Sequence, residues 1–370
     1  MLTDDLPATL DRLVDLGRTP DVNIRPVLLR VLVDLFVSRP SHSGEAIRQF
    51  DEMVARLLDD ADAPARLIVA GKLAGHPQAP ARLLKKLIAE RGTVAGTVLS
   101  RATLDAQTLQ SAAVLGTAAM AAAVAQRPDL DAATVRALAE RPEGEVVAAL
   151  ADNPAAPIDL GLQRYLVRRA RDNAALAARL LKRGGDPGEL AALFLTADRA
   201  GRAAILLALR RQELGRPPVE PAAEAGPALG QIEHIALRPG QDGLDLVLAH
   251  ALSLPAPLAE RLVDDPGGEP LAVALAALGA SPELAARVFI LGHPAIGRDY
   301  PRVRSLVGLV ETLPVGVARR ILASLAGEAL AAPRRVARTE AERARPATAA
   351  MRSETRAAPP QPERAARKLG

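Results

Sequence analysis

The chain of 370 residues is long enough for two ordinary domains or one extended array, and it is 49% apolar, so it can bury a core. Only 2% of it is aromatic, with no Trp and no Cys, which argues against base-stacking platforms and excludes disulfides, thiol catalysis and thiolate zinc sites. The net charge of +4 and the pI of about 9.8 suggest an acidic partner.

Residues 1–63 are predicted to form an N-terminal helical cap. The apolar spacing places helices near residues 7–16, 24–37 and 44–58. A beginning with longer helices than the rest suits the cap that the end of a helical array needs. The acidic first residues have no apolar core after them, unlike a secretory signal, so we expect a cytoplasmic location.

Four segments between residues 65 and 164 align on one template. Their anchors are Pro77, Ala102, Pro128 and Pro154, which are 25, 26 and 26 residues apart. A fixed period of this size is typical of a solenoid, in which each unit buries its apolar face only by stacking on its neighbours. We therefore predict an all-α fold, a right-handed α-solenoid of short helix pairs with a period of about 26 residues, over residues 64–216.

The residue types within a repeat predict a helix, a stop and a second helix. Leu150 lies on an apolar helical face that Pro154 ends, because its ring removes a backbone donor. Asp131 is a natural N-cap for the helix that carries Val135 and Leu138. Residues 106–126 are uncharged and come nearest to a membrane span, but they fit the repeat template, so no span is predicted.

Residues 161–216 continue the helical pattern and carry 12 basic against 5 acidic residues. Arg164, Arg168 and Arg171 fall on one helical face, and Arg169 lies beside it. Two interpretations stay open: a solvated helix face in an Arg-biased chain, or a surface for an anionic partner. The candidate anionic-partner surface consists of Arg164, Arg168, Arg169, Arg171, Arg179, Lys182 and Arg183.

The rest of the chain divides into three predicted parts. Residues 217–229 are rich in Pro, Ala and Glu, which is typical of a linker. Residues 230–331 are predicted to form a second helical repeat block of about four to six helices. Residues 332–370 have few large apolar side chains and a basic excess, so a disordered basic tail is expected there.

No catalytic, cofactor or metal site is predicted. Five scattered histidines lack the partners of a metal motif, so we assign them structural or solvated roles. The glycine-rich stretches 184–188 and 267–268 lack the Lys and hydroxyl residue of a phosphate loop and are interpreted as helix ends. The acid pairs at 59–60 and 264–265 are interpreted as solvated turns, because a general acid or base would need a buried cleft.

Several stretches resemble known helical repeats. Residues 147–157 and 72–80 are similar to leucine-rich-variant repeats. Residues 94–105, 123–127 and 153–156 resemble the bacterial family of domain of unknown function 2336, over roughly residues 25–300. The resemblance implies a HEAT-like helical solenoid and no assigned activity, and the stretch at 217–227 and the tail depart from it.

We expect a non-enzymatic scaffold or adaptor whose solenoid binds a protein partner. The alternative is a nucleic-acid-binding, HEAT-like solenoid that uses the Arg-rich segment 161–216, which the lack of Trp disfavours. A tail that binds nucleic acid or membrane by itself is a further alternative. No residue set supports an enzymatic function.

Overall fold

The computed structural model describes residues 25–221, 225–238, 243–293 and 296–331 of the chain, with side chains up to residue 327. The predicted helix at 7–16, the predicted disordered tail at 332–370 and part of the predicted linker lie outside the described residues. The described residues up to Ala326 form one compact unit, and of a second unit that begins at Gly327 only the end of one helix is described.

The described residues are helical and contain no strand, which confirms the predicted all-α class. The described residues also contain one 3₁₀ turn, Ala191–Leu193. The helices are α1 (Arg25–Val37), α2 (Gly44–Asp59), α3 (Ala63–Ala74), α4 (Ala81–Ala89), α5 (Gly92–Arg101), α6 (Ala106–Leu115), α7 (Ala118–Ala125), α8 (Ala132–Glu140), α9 (Gly144–Asp152), α10 (Leu160–Ala170), α11 (Ala174–Arg183), α12 (Pro187–Leu190), α13 (Arg199–Glu213), α14 (Ala225–Ala236), α15 (Leu244–Ala251), α16 (Ala256–Val263), α17 (Glu269–Ala277), α18 (Pro282–Gly292), α19 (Tyr300–Thr312) and α20 (Val315–Ala331).

From α1 to α13 the helices stack in two layers. In the first layer α1, α3, α5, α7, α9, α11 and α13 each pack on the next, and in the second α6, α8, α10 and α12 do so, as do α2 and α4. Apart from the pair α4 and α6, each helix up to α11 therefore packs on the helix two places further along the chain, which is the arrangement of a stacked helical array. The hand of the array and a strict 26-residue period stay predictions.

The local signals act as the residue types indicate. The Asp131 side chain accepts a hydrogen bond from the Thr134 backbone N–H, which confirms the predicted N-cap of α8. Helix α9 ends at Asp152, two residues before Pro154. Its inward face contains fully buried Leu150, and alanines at the contacts allow neighbouring helices to approach closely.

The stretch 106–126 is two helices rather than one. Helix α6 ends at Leu115 and α7 begins at Ala118, with Gly116 between them. A Cβ at Gly116 would lie 2.3 Å from the Ala112 carbonyl oxygen, so only glycine fits this tight turn. In the part of the chain that the structure describes, no helix is long and apolar enough to cross a membrane.

Three groups of buried apolar side chains form the core, and their limits differ from the predicted domain boundaries. The first runs from Leu29 to Ala102 and the second from Ala95 to Leu193. The third combines Ala191, Phe194 and Ile205 with side chains as far as Leu325. The cap thus shares its core with the first repeats, and the predicted boundary at 216 falls inside the third core.

Two further expectations for the C-terminal half need correction. Helix α14 begins at Ala225, inside the predicted linker 217–229. Seven helices, α14 to α20, follow in the described residues, where about four to six were expected. Gly226, Pro227 and Gly230 weaken a helix locally, but buried Ala225 and Ala228 supply packing that overrides this preference.

A buried ionic network connects α13 with α17 and α19. Arg202 donates to both carboxylate oxygens of Asp265, at 2.7 and 2.5 Å, and to Glu269 at 3.0 Å. Arg302 in turn contacts Glu269 at 2.5 Å. The four side chains are between 9% and 13% exposed, so the charges are largely removed from water and neutralise one another.

Candidate functional site

Two of the predicted partner-binding arginines are instead bound to backbone carbonyls. Arg169 donates to the carbonyl oxygens of Ala139 and Arg141, at 2.7 and 2.6 Å, where α8 ends. Arg183 donates to the carbonyls of Asn153 and Ala156, the latter at 2.6 Å, just past the end of α9. The last carbonyls of a helix lack partners within it, so each guanidinium caps the helix two places earlier.

These two arginines belong to a wider set of carbonyl clamps, side chains that bind the C-terminal carbonyls of the helix two places back. In the first layer Arg127 binds Leu99 and Ala102, and Asn153 binds Ala125 and Arg127, all between 2.6 and 2.9 Å. In the second layer Arg141 binds Val114 and Gly116. The clamps join successive repeats by charge-assisted or amide hydrogen bonds.

The other predicted cations divide between ion pairs and solvent. Arg164 pairs with Glu189 at 2.7 Å, Arg179 pairs with Asp152, and half-buried Arg171 also has a partner within the protein. Arg168 and Lys182 are exposed and make no hydrogen bond or ion pair with the described residues. Most members of the arginine face predicted on α10 are therefore engaged within the protein, and its contact with an anionic partner stays a prediction.

Three of the predicted cations meet in one groove. This groove, of about 640 Å³, lies among the ends of α9, α11 and α12 and helix α10. Its charged lining is Arg179, Lys182, Arg183 and Asp152, a net charge of +2. Its apolar lining consists of Ala151, Pro154, Ile158, Leu166, Leu180 and Leu190. We call it the basic groove.

The end wall of the basic groove is held by an amide and a glycine. Buried Gln163 donates to the Asp186 carbonyl at 3.3 Å and accepts from the Asp186 N–H at 3.1 Å. Gly185, between them, has φ +142°, and a Cβ there would lie 2.5 Å from Gln163. Gly184 caps α11 and Asp186 caps α12, which confirms that this stretch is a pair of helix ends.

Burial affects the cations of the groove differently. Arg183 is half-buried against carbonyl oxygens, and this burial lowers the pKa of its guanidinium. An arginine stays charged at neutral pH even so, because its usual pKa is above 12. Lys182, in contrast, is exposed and makes no hydrogen bond or ion pair with the described residues, so it is the cation of the groove most accessible to a ligand.

A second cleft, of about 560 Å³, lies between α4 and α6, where the second layer is least closely packed. Lys85, Arg91 and Asp105 are among its lining residues, and Leu115 at its edge is 83% exposed. Lys85 and Asp105 pair at 3.6 Å. This cleft has less positive charge than the basic groove, so it is the weaker candidate for an anionic partner.

The remaining sequence candidates have structural or solvated positions. His76 donates its Nε2–H to the Arg39 carbonyl at 2.8 Å, His42 stacks on Phe36, and His234 and His250 are exposed. Asp265 is not a solvated turn as predicted, because it pairs with Arg202 and is 11% exposed. No group of three or more His, Cys, Asp or Glu among the described residues could hold a metal ion.

The fold and the groove define a class, an all-helical protein of stacked short helices with a cation-lined groove. Residues 94–239 match the model of a family described as an uncharacterised protein conserved in bacteria (DUF2336). This match confirms the resemblance found in the sequence over a narrower range than 25–300, and it includes both the basic groove and residues 217–227. No curated protein and no solved structure matches the chain.

Proposed function

We propose that the protein is a non-enzymatic helical-repeat scaffold that binds a protein partner in the basic groove. The observation that supports this proposal most is the accessible Lys182 at a groove that combines a net positive charge with an apolar lining. Protein interfaces combine apolar contact with complementary charge, and the groove offers both, through its aliphatic side chains and through its cations and amide. The cytoplasm is the compartment we propose, because a chain without Cys needs no oxidising environment.

A nucleic-acid partner is the alternative, and the structure offers it few contacts. Affinity for nucleic acid depends on many cations free to meet phosphates. Of the seven predicted cations, Arg164, Arg169, Arg171, Arg179 and Arg183 already have partners within the protein. This distribution favours a short acidic protein segment over a phosphate backbone.

The proposal is tested by isolating a partner and reconstituting the complex. The full-length protein would be purified from its native cells under several growth conditions, and each stable companion would then be purified and titrated by calorimetry. We expect one protein to bind with fixed stoichiometry and Leu150→Asp, which disrupts the stacked helices, to abolish binding. Absence of any stoichiometric protein partner under all conditions would contradict the proposal.

The nucleic-acid alternative has its own measurement. If three phosphate contacts were made, replacing Arg164, Arg168 and Arg171 by Glu would reduce the slope of log K against log salt by roughly 0.9 per contact. We expect no measurable slope for single- or double-stranded DNA or for RNA. A steep slope that this variant flattens would favour nucleic acid instead.

A further inference from the structure

We propose that the basic groove binds an acidic segment of the partner that carries one aliphatic side chain between its carboxylates. This inference rests on the proposed function and specifies the chemistry of the partner. It is drawn from the order of charges along the rim, the apolar floor between them, and the carboxylate that already occupies part of the site.

The rim provides two places for a carboxylate. Lys182 has no partner among the described residues, and Arg179 is paired only with Asp152, in an ion pair whose side chains are 42% and 48% exposed. A pair so exposed to water has a small net free energy, so an incoming carboxylate can compete for Arg179. Arg183, which binds carbonyls, keeps the local potential positive without being available itself.

The floor of the groove provides an apolar surface for an aliphatic side chain of the ligand. Leu166, Leu180 and Leu190 are buried beneath it, and half-buried Ile158 and exposed Pro154 complete the apolar surface. Burying an aliphatic side chain here removes apolar area from water, and each Å² removed favours binding by about 25 cal/mol of free energy. A purely acidic segment would leave this surface unused, and a purely apolar one would leave the cations without counter-charge.

Asp152 makes the inference unusually testable, because its carboxylate occupies a place that the ligand would take. Replacing Asp152 by Asn removes a negative charge from the rim and frees Arg179. If the ligand is acidic, binding must become tighter, whereas a residue that merely supported the fold would weaken binding or leave it unchanged.

The experiment uses full-length protein and a fluorescein-labelled peptide, Gly-Asp-Glu-Leu-Glu-Asp-Gly, followed by fluorescence anisotropy. We expect binding that weakens as salt increases. Lys182→Glu should weaken it about tenfold, because attraction at the rim becomes repulsion, and Asp152→Asn should tighten it about threefold. A peptide with Ser in place of Leu and a peptide with amides in place of the carboxylates should both bind at least about tenfold more weakly.

Arg168→Glu is the matched control, because Arg168 is an equally exposed cation of the same segment that does not line the groove. It should change the affinity by less than about twofold. Circular dichroism of each variant verifies that the helices are retained, and a single-stranded oligonucleotide of the same net charge serves as the competing ligand.

The results separate the two proposals. The inference would be overturned if Lys182→Glu bound the peptide as tightly as wild type does, or if Asp152→Asn bound it more weakly than wild type. It would also be overturned if Arg168→Glu weakened peptide binding as much as Lys182→Glu does. Tighter binding of the oligonucleotide than of the peptide would overturn it in favour of nucleic acid. If a reconstituted partner binds Lys182→Glu normally, the scaffold function stands and only the groove assignment fails.

Discussion

At the scale of single residues, arginine has three different roles in neighbouring repeats. Arg127 and Arg183 bind carbonyls of the preceding repeat, Arg164 forms a surface ion pair, and Arg168 extends into solvent. The sequence predicted the basic segment but not this division, because a guanidinium reaches its acceptors across 25 or more residues. Three of the clamp residues share a sequence feature that could have marked them. Arg127, Arg141 and Asn153 each precede a proline, where a helix has just ended.

The carbonyl clamps should therefore affect stability more than the solvent-exposed cations do. Arg183→Met removes the side-chain hydrogen bonds to the carbonyls of Leu150, Asn153 and Ala156, the first two of which keep a backbone donor, and we expect it to lower the free energy of unfolding by about 1–3 kcal/mol. Adjacent Lys182→Met should change it by less than about 0.5 kcal/mol. Urea denaturation followed by circular dichroism makes the comparison, and equal effects would contradict the assigned roles.

A pH dependence follows from the Arg127–Asp129 pair. Hydrogen bonds from Arg127, at 2.8 and 2.6 Å, lower the pKa of Asp129 below its usual value of 3.8. Because the folded-state pKa is below the unfolded one, the pair stabilises the fold above pH 4 and this contribution is lost as pH falls through the folded pKa. The side chain is 55% exposed, so screening keeps the contribution small.

Asp129→Asn should accordingly be less stable than wild type at neutral pH, and the difference should disappear in acid. The measurement is the unfolding free energy of both proteins from neutral pH down to about pH 3. Exposed Asp172, which forms no described ion pair, provides the control Asp172→Asn. A difference that stays constant over the whole pH range would rule out the assigned titration.

At the scale of secondary-structure elements, the helices with clear caps and apolar faces could be predicted well. Asp131 and Pro154 act as their residue types indicate. Helix α14 could not be predicted, because its proline and glycines are tolerated only through tertiary burial of Ala225 and Ile232. The start of α5 was also missed, because Arg91 has φ 60° and ψ −167°, a conformation that is almost confined to glycine.

This backbone strain predicts a stabilising substitution. Arg91→Gly removes the Cβ that makes the conformation costly, and we expect it to raise the free energy of unfolding by about 1 kcal/mol. Arg91→Ala keeps the Cβ and serves as the control for loss of the charged side chain. Thermal unfolding of the three proteins gives the comparison. If glycine and alanine have the same effect, the strain does not limit stability.

At the scale of the whole molecule, a division near residue 216 was the natural inference from composition. The actual cores pass across it, because Phe194, Ile205 and Leu209 pack with residues of the C-terminal helices. The basic groove and the ionic network both combine residues that are distant in sequence. The sequence around these residues shows that they are charged but does not indicate that they meet. Periodicity indicates which helices repeat, but it does not say where one core ends and another begins.

The Arg202 network should make this junction cooperative. Arg202→Met leaves Asp265 and Glu269 buried with fewer cationic partners, so we expect a loss of about 3–5 kcal/mol. Exposed Arg199 on the same helix gives the control Arg199→Met, expected within about 0.5 kcal/mol. Calorimetry should show one transition for wild type. A separate, unchanged transition for either half in Arg202→Met would show that the halves fold independently.

Three of the five carbonyl clamps have their own backbone oxygen bound by the next clamp of their layer: Asn153 binds Arg127, Arg183 binds Asn153, and Arg169 binds Arg141. The first of these links spans 26 residues. Loss of one repeat in phase would therefore remove one donor and one acceptor together, and gain of one repeat would add one of each. In both cases the remaining clamped carbonyls would keep a partner. Such an architecture can change its length through duplication or deletion of genetic units while the surviving hydrogen-bond chain stays closed, and insertions out of phase would be selected against.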